Sequence, residues 1–239
     1  MTALVSIEQP SAVQPILSPE VALATYQCRA ERQRQELISY SATSRIRADL
    51  PGIQQWGELE LEQFYSAPHN LQFRTIKFEG DKSVKTNFIA RFLQAEVDHI
   101  QKDESGRTAL TPSNYDFSPK GSTTLSGRPV HVFRVKPHRK YVGLFKGRIY
   151  LDTATGSLVR SEGAMVRSPS VFIKRIEFVE DYADFGAFTF RVRLHSIART
   201  RIVGAAILHV EQGNFQRVTT SIAYAAGRSP NGWPERCEQ

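Results

Sequence analysis

The architecture of this chain is indicated by one segment, Leu144-Phe-Lys-Gly-Arg-Ile-Tyr-Leu-Asp-Thr-Ala-Thr-Gly-Ser-Leu-Val-Arg-Ser-Glu-Gly163. Phe145, Ile149 and Leu151 alternate with polar residues, at the two-residue period of a strand that is buried on one face. Turn-forming residues occupy 152–156 and a second strand returns over 158–162, so the segment predicts a β-hairpin. Because further alternating segments follow, the hairpin is predicted to be the middle of a large antiparallel sheet.

The size and composition of the chain predict one domain with a sizeable core. It has 239 residues, of which 41% are hydrophobic. No run reaches the roughly 18 to 20 apolar residues of a membrane-spanning helix, and the start lacks the pattern of a signal peptide. We expect either a cytosolic protein or an exported one whose signal peptide was removed and replaced by Met1. Cys28 and Cys237 stand far apart, so two unpaired thiols are favoured over a disulfide.

The positive charge lies in the second half of the chain. The net charge is +7. Residues 120–217 hold 17 Lys and Arg against 7 Asp and Glu, which leaves 14 against 17 for the remainder. Such a basic field can attract anionic lipid headgroups, nucleic acid or an acidic protein, or it can simply keep a large sheet in solution. Solvation is the preferred single explanation.

Two helices and a three-stranded meander are predicted in the first half. Residues 1–17 have no periodicity and are interpreted as an extended arm. A helix with a serine cap and a first-turn proline is predicted over 18–35, and strands alternate over 40–78. A second helix over 81–102 has an apolar stripe broad enough to lie inside a curved sheet. An ordinary helix packed on an ordinary sheet would show the same spacing.

Two segments of the second half are predicted to lack regular structure. Residues 103–125 are rich in Ser, Thr, Gly, Asp and Pro and exceed the usual length of a connection in a compact domain. They predict either a mobile flap or a passive surface loop. Residues 219–239 are interpreted as a frayed tail.

The later strands predict which side chains face the core. The strand over 171–180 is expected to carry three apolar residues on one side: Phe172, Ile176 and Phe178. The most regular alternation places four apolar residues on one face: Phe188, Phe190, Val192 and Leu194. Arg191 and Arg193 are therefore expected on the opposite face, away from the phenylalanines.

The sequence contains none of the usual catalytic or metal-binding motifs, such as a nucleophile elbow, a phosphate-binding loop or a dinucleotide-binding glycine pattern. A metal site could assemble from His131, His195 and His209 on neighbouring strands, although ordinary histidines are favoured where no spacing motif exists. Glu162 and Glu177 could pair as acid and base. Each lies among Arg and Lys, so cross-strand ion pairs are favoured.

A nucleic-acid interface would depend on five arginines of the predicted strands: Arg191, Arg193, Arg199, Arg201 and Arg217. Basic strands can follow phosphates, but proteins that bind single strands usually place aromatic residues on the same exposed face. Here the phenylalanines are expected to point the other way. We therefore expect no nucleic-acid partner.

Several short motifs resemble those of a known family. Gly57-Glu-Leu-Glu-Leu-Glu-Gln-Phe-Tyr-Ser-Ala-Pro-His-Asn-Leu-Gln-Phe-Arg74 resembles the strand, proline turn and strand of the LolA-like outer-membrane lipoprotein carriers. Four strings resemble the second half of the bacterial lipoprotein-sorting relatives: Asn114-Tyr115-Asp-Phe117, Val135-Lys-Pro137, Gly147-Arg-Ile149-Tyr-Leu151-Asp152 and Val159-Arg160-Ser-Glu162-Gly163. The resemblance covers roughly residues 18–218.

The resemblance implies an α+β fold, in which an incomplete, half-open antiparallel β-barrel wraps around helices as one domain over 18–218. It also implies an apolar cavity for acyl chains, a periplasmic location and no cofactor. Many carriers of this family have an arginine before the proline of the first motif, where it takes part in closing the cavity. Here Ala67 precedes Pro68. This departure favours a related lipid-binding or envelope-sensing role, as in RseB-like proteins, over lipoprotein shuttling.

The resulting hypothesis is an exported, non-enzymatic protein that holds a lipid or lipoprotein acyl chain between the second helix and the concave face of the sheet. Each buried methylene would contribute roughly 0.8 kcal/mol. Eight residues are candidates for the lining: Val84, Phe88, Phe92, Phe145, Ile149, Phe178, Phe188 and Phe190. The alternative is an envelope-sensing or scaffolding module with a filled cavity, which captures a protein through a basic convex face at Arg191 and Arg193. A hydrolase with a site assembled across strands is the third hypothesis.

Overall fold

The computed structural model describes residues 16–102 and 104–217. The helices are α1 (Pro19–Glu36), α2 and α3 (Ser105–Thr108). α2 is continuous through an α-helical turn (Lys82–Val84), a π-helical turn (Lys85–Ile89) and a longer α-helical part (Ala90–Gln101). The strands are β1 (Ser39–Leu50), β2 (Gln55–Ser66), β3 (Asn70–Gly80), β4 (Tyr115–Leu125), β5 (Arg128–Pro137), β6 (Phe145–Asp152), β7 (Leu158–Met165), β8 (Ile173–Phe185), β9 (Phe188–Thr200) and β10 (Ala205–Arg217). The predicted arm and tail lie almost wholly outside the described residues.

The ten strands form one antiparallel sheet in the order β3-β2-β1-β10-β9-β8-β7-β6-β5-β4. β3 and β4 are its two edges, so the sheet does not close on itself. The central hairpin of the sequence is β6 paired with β7, as predicted. The predicted fold class, an incomplete antiparallel barrel with helices, is therefore confirmed.

Both long helices lie against the sheet and contribute to its core. α1 contacts β6 and β9, whereas α2 contacts β1, β2 and β3. Val84 and Ile89 of α2 are fully buried beside Ile46, Leu61 and Ile149 of the strands. Burying one such side chain stabilises a fold by roughly 1.5–3 kcal/mol. Within 16–102 and 104–217, the helices are too short or too polar to cross a bilayer.

The start of α1 is held on the β6–β7 turn. Ser18 is the N-cap, and its Oγ accepts a hydrogen bond from the Val21 amide at 3.3 Å, as the sequence predicts. The Leu17 amide donates to the Thr153 carbonyl at 2.8 Å. Gly156 has a positive φ of 66°, and an added Cβ there would lie 2.8 Å from a side-chain carbon of α1. Only glycine allows the turn to approach the helix this closely.

Two glycines let the strands of the central hairpin approach each other. Gly147 of β6 pairs with Gly163 of β7. A Cβ on Gly147 would lie 1.9 Å from the Glu162 carbonyl oxygen and 2.7 Å from the Gly163 Cα. The neighbouring backbone, which cannot move away easily, would be displaced by any side chain at this position.

The prediction that residues 103–125 lack regular structure, as a flap or as a passive surface loop, is wrong for the second half of the segment. Most of its second half is β4, an edge strand that pairs with β5 from Tyr115↔Pro137 to Leu125↔Arg128. The register shifts between Pro119 and Ser122. Proline and glycine are tolerated at such a bulge on an edge strand, because only one neighbour must be hydrogen-bonded. The strand was missed because its composition, which is polar and rich in turn-forming residues, is typical of a loop.

Two local predictions also need correction. β8 begins at Ile173, so Phe172 precedes the strand and is 54% exposed instead of sharing a buried face with Phe178. The expectation of an unpaired thiol at Cys28 is wrong, because this residue is disulfide-bonded. The other cysteine of the chain, Cys237, lies outside the described residues.

Replacing Gly147 by alanine should lower the free energy of unfolding by about 2–3 kcal/mol, because the new methyl group meets the backbone of β7. Urea denaturation followed by circular dichroism measures the change. Gly213→Ala is the matched control, since its Cβ would meet nothing within 4 Å. Equal losses of stability in the two variants would contradict the close approach of β6 and β7.

Candidate functional site

Two adjoining cavities lie between the helices and the concave face of the sheet. The larger has a volume of about 900 Å³ and is bordered by α1, the end of α2, the β2–β3 turn and strands β6–β9. The smaller, of about 430 Å³, lies towards α2, β1, β2, β3 and β10. Binding pockets for small molecules typically have volumes of about 300–1,000 Å³. The space beside α2 is therefore open, and not filled by protein.

The larger cavity has an apolar wall. Phe145 of β6 and Met165 of β7 are directly paired, and Phe178 of β8 meets the Phe145 ring edge to face at 5.0 Å between centroids. Phe145 and Phe178 are each 6% exposed. The three side chains form a continuous apolar surface that can accept a hydrocarbon chain.

A charged cluster borders the same cavity beside the apolar wall. Arg191 of β9 donates to Glu96 of α2 and to Glu180 of β8, each at 3.1 Å. The Arg191 side chain is only 19% exposed. Burial alone would lower its pKa, but the attraction of Glu96 and Glu180 outweighs this effect and raises the pKa above its usual value. The guanidinium is therefore charged and ties α2 to the sheet.

A buried tyrosine completes the charged cluster. The Tyr182 hydroxyl donates to Glu180 Oε2 at 2.6 Å. Burial, followed by the charge of Glu180, raises the Tyr182 pKa well above its usual value. Glu180 thus accepts hydrogen bonds from both Arg191 and Tyr182, which satisfies a carboxylate away from bulk water.

The inward position of Arg191 corrects the predicted alternation of β9. The register passes from Asp181↔Arg193 to Tyr182↔Arg191, so Val192 is the extra residue of a β-bulge. Because of the bulge, Arg191 and Arg193 lie on opposite faces of the sheet. Arg193 has a 68% exposed side chain and lies 3.6 Å from Asp181, whereas Arg191 lies inside. The predicted convex face that combines both arginines is therefore wrong.

Gln33 of α1 makes the backbone hydrogen bonds to β9 that a neighbouring strand would otherwise make. β9 and β10 are paired only as far as Arg193↔Glu211. Beyond that point, the Gln33 side-chain amide donates to the Thr189 carbonyl at 2.9 Å and accepts from the Thr189 amide at 2.8 Å. These two hydrogen bonds satisfy the exposed backbone of β9 and fix α1 beside the cavity.

Polar side chains at the smaller cavity form their own network. Gln63 Oε1 accepts from Ser44 Oγ at 3.1 Å and from Gln212 Nε2 at 2.9 Å. The Gln63 amide donates to the Tyr40 hydroxyl at 3.2 Å. Burial is the main cause that raises the Tyr40 pKa to about 12. The cavity wall is thus polar on this side but already hydrogen-bonded.

The eight predicted lining residues divide into two groups. Four of them border the cavities: Phe92, Phe145, Phe178 and Phe190. The other four pack elsewhere: Val84, Phe88, Ile149 and Phe188. Val84 and Ile149 are fully buried, Phe88 packs against the core, and the Arg217 guanidinium lies 4.8 Å above the Phe188 ring. The role of the eight residues in lipid binding stays a prediction.

Sequence reasoning missed the charged cluster and the contribution of α1. One signal for the cluster was available, because Glu96 follows Phe88 and Phe92 at four-residue intervals on the same helical face. A carboxylate in an apolar stripe indicates a buried partner. No residue pattern marked the bulge at Val192, so the partner Arg191 could not be assigned.

The structure does not bring the three candidate metal-binding histidines together. The His131 ring nitrogens lie 2.8 Å from Ser122 Oγ and 2.8 Å from the Leu17 carbonyl. His195 and His209 are adjacent, with 3.2 Å between their Nδ1 atoms. In the part of the chain that the structure describes, no three potential ligands are grouped for a metal ion.

The two candidate catalytic glutamates also have separate partners. Glu162 pairs across the strands with Arg148 at 3.9 Å and accepts from the Tyr150 hydroxyl at 2.7 Å. Glu177 lies 2.7 Å from Arg175 of its own strand. The cross-strand ion pair expected for Glu162 is confirmed.

Several solved structures are similar to this chain in fold. No protein-family model matches the chain, and no curated protein matches it by sequence. A putative outer membrane lipoprotein-sorting protein domain from Vibrio parahaemolyticus aligns at 12% identity and a TM-score of 0.43, over 84% of this chain and 93% of its own. A DUF1329 family protein from Desulfovibrio piger aligns at 11% identity and a TM-score of 0.41, over 82% and 92%.

A LolA superfamily protein from Nitrosomonas europaea aligns at 10% identity and a TM-score of 0.39, over 82% of this chain and 94% of its own. The chain is similar in fold to these three proteins. This likeness agrees with the resemblance that the sequence motifs suggest. At these identities and TM-scores the likeness concerns the fold alone, and the functional argument depends on the geometry of the cavity.

Replacing Arg191 by methionine should lower the free energy of unfolding by about 3 kcal/mol, because Glu96 and Glu180 lose their common cation. Urea denaturation measures the loss. Arg193→Met is the matched control on the same strand and should change stability by less than about 0.5 kcal/mol, since its side chain is exposed. A larger effect at Arg193 than at Arg191 would place the bulge elsewhere.

Proposed function

We propose that this protein is a non-enzymatic periplasmic carrier that holds the acyl chain of a lipid or lipoprotein in the larger cavity. The observation that supports this function is an open space of about 900 Å³ with an apolar wall of Phe145, Met165 and Phe178. Burial of each methylene against such a wall stabilises a complex by roughly 0.8 kcal/mol, without any directional contact. The periplasmic location follows from the resemblance of the motifs.

The cavity also favours a ligand with a polar end. The apolar wall and the Arg191 cluster border the same space. The Nε atoms of Arg29 and Arg191 are buried and have no hydrogen-bond partner within residues 16–102 and 104–217. These atoms have almost no accessible surface, so a ligand oxygen could accept from them only after the two side chains move. Such a movement is favoured because an unmet buried donor is costly. An amphiphile matches this arrangement better than a pure hydrocarbon.

The alternative function, an envelope-sensing module, depended on a filled cavity and on a convex face formed by Arg191 and Arg193. The cavity is open, and the Arg191 side chain faces the cavity on the concave side of the sheet. Neither the state of the cavity nor the position of Arg191 therefore favours the envelope-sensing alternative. Capture of an envelope protein stays a prediction without a defined surface.

Protein purified from a membrane-containing host should carry a bound lipid. Native mass spectrometry before and after organic extraction detects the mass difference, and displacement of a fluorescent fatty acid measures the affinity of the emptied protein. A protein free of bound lipid that also fails to bind the fluorescent probe would be incompatible with the carrier function.

Filling the cavity should weaken lipid binding. Ala30 of α1 borders the larger cavity, so Ala30→Trp should weaken binding of the fluorescent fatty acid at least about ten-fold. Ala95→Trp is the matched control, because Ala95 is an exposed helical alanine that borders neither cavity. Circular dichroism verifies that both variants fold. Equal affinities of the two variants would show that the probe binds outside the cavity.

A further inference from the structure

Three connections form a contiguous surface at one end of the sheet, here called the loop tip. They are the β1–β2 turn (51–54), the β7–β8 loop (166–172) and the β9–β10 turn (201–204). The Arg201 amide donates to the Phe172 carbonyl at 2.9 Å, and Arg201 Nε donates to the Val171 carbonyl at 3.0 Å. The β1–β2 turn lies against the same group, since a Cβ on Gly52 would be 2.7 Å from the Val203 carbonyl oxygen.

The loop tip exposes apolar side chains that are large enough to be core residues. Val171 is 79% exposed, Ile202 73%, Phe172 54% and Ile53 44%. A single exposed apolar residue needs no explanation, because folded surfaces contain many. Four on adjoining turns form a patch, which is typical of an interaction site.

The β7–β8 and β9–β10 connections, together with the strand ends that adjoin them, carry only positive charge. Residues 166–176 and 198–204 contain five basic residues and no Asp or Glu: Arg167, Lys174, Arg175, Arg199 and Arg201. Arg175 pairs with Glu177, and Arg201 holds the loops together. The side chains of Arg167, Lys174 and Arg199 are exposed and form neither hydrogen bonds nor ion pairs with the described residues. These three cations are available to a partner.

We propose that the loop tip docks on the surface of an anionic phospholipid membrane. The apolar side chains enter the boundary between headgroups and acyl chains, and the three cations lie among the phosphates. A fluid lipid surface accepts separate protruding side chains without a shaped groove. A second copy of this chain would bring cations against cations. The membrane is therefore the partner that both the apolar and the charged features fit.

This docking surface is distinct from the lipid cavity. Arg191, Glu96 and the apolar wall of the cavity do not take part in it. The carrier function could fail while membrane docking holds, and the reverse could also occur. Filling the cavity with Ala30→Trp should leave docking unchanged, which separates the two tests.

Vesicle flotation tests the proposal. The purified chain should float with vesicles of equal parts phosphatidylglycerol and phosphatidylcholine at low salt, and bind phosphatidylcholine vesicles at least about ten-fold more weakly. Lys174→Glu combined with Arg199→Glu should reduce binding to the anionic vesicles at least about ten-fold. Phe172→Ser combined with Ile202→Ser should reduce it at both low and high salt, because apolar insertion is not screened.

Matched controls identify the surface. Lys120→Glu with Lys136→Glu reverses two exposed charges on β4 and β5, and Ile76→Ser removes an exposed apolar residue of β3. These variants should bind like the unaltered chain. Failure of the unaltered chain to float would overturn the proposal. So would an equal loss in the control variants, unaltered binding by the serine variant, or capture of an acidic protein without any binding to vesicles.

Discussion

The contact between Arg191, Glu96 and Glu180 links three of the elements that border the cavity. One carboxylate belongs to α2, the other to β8, and the guanidinium projects from β9. A charge removed from water is stable only when its partners are held in place. The cluster therefore fixes the distance between α2 and the concave face. Movement of the helix onto the apolar wall would require these ion pairs to be broken or buried more deeply, which is costly.

Strict alternation made the N-terminal strands and the central hairpin predictable. Ile46 and Leu59 face inward at the period that the sequence shows, because each strand has one buried face and continuous neighbours. β4 escaped prediction because an edge strand needs hydrogen bonds on one side only and tolerates Pro119. The faces of β9 were predicted wrongly for a different reason. Val192 is one extra residue in the strand, so Arg191 and Arg193 lie on opposite faces, and the composition of the strand does not mark it.

The cavity lining was only partly predictable, because helical spacing cannot distinguish a core residue from a cavity residue. Phe88 and Phe92 belong to one stripe of α2, yet Phe88 packs into the core and Phe92 borders the smaller cavity. The part played by Gln33 depends on where β9 separates from β10, which is a tertiary feature with no local signal.

The open sheet has a further consequence for the width of the cavity. In a closed barrel the number of strands and their stagger set the diameter, so widening it requires broken ladders. Here the order ends at β3 and β4. Slight uncoiling of the whole sheet can spread these two edges apart while every strand keeps its neighbours. The width of the cavity can therefore vary without the loss of any strand pairing.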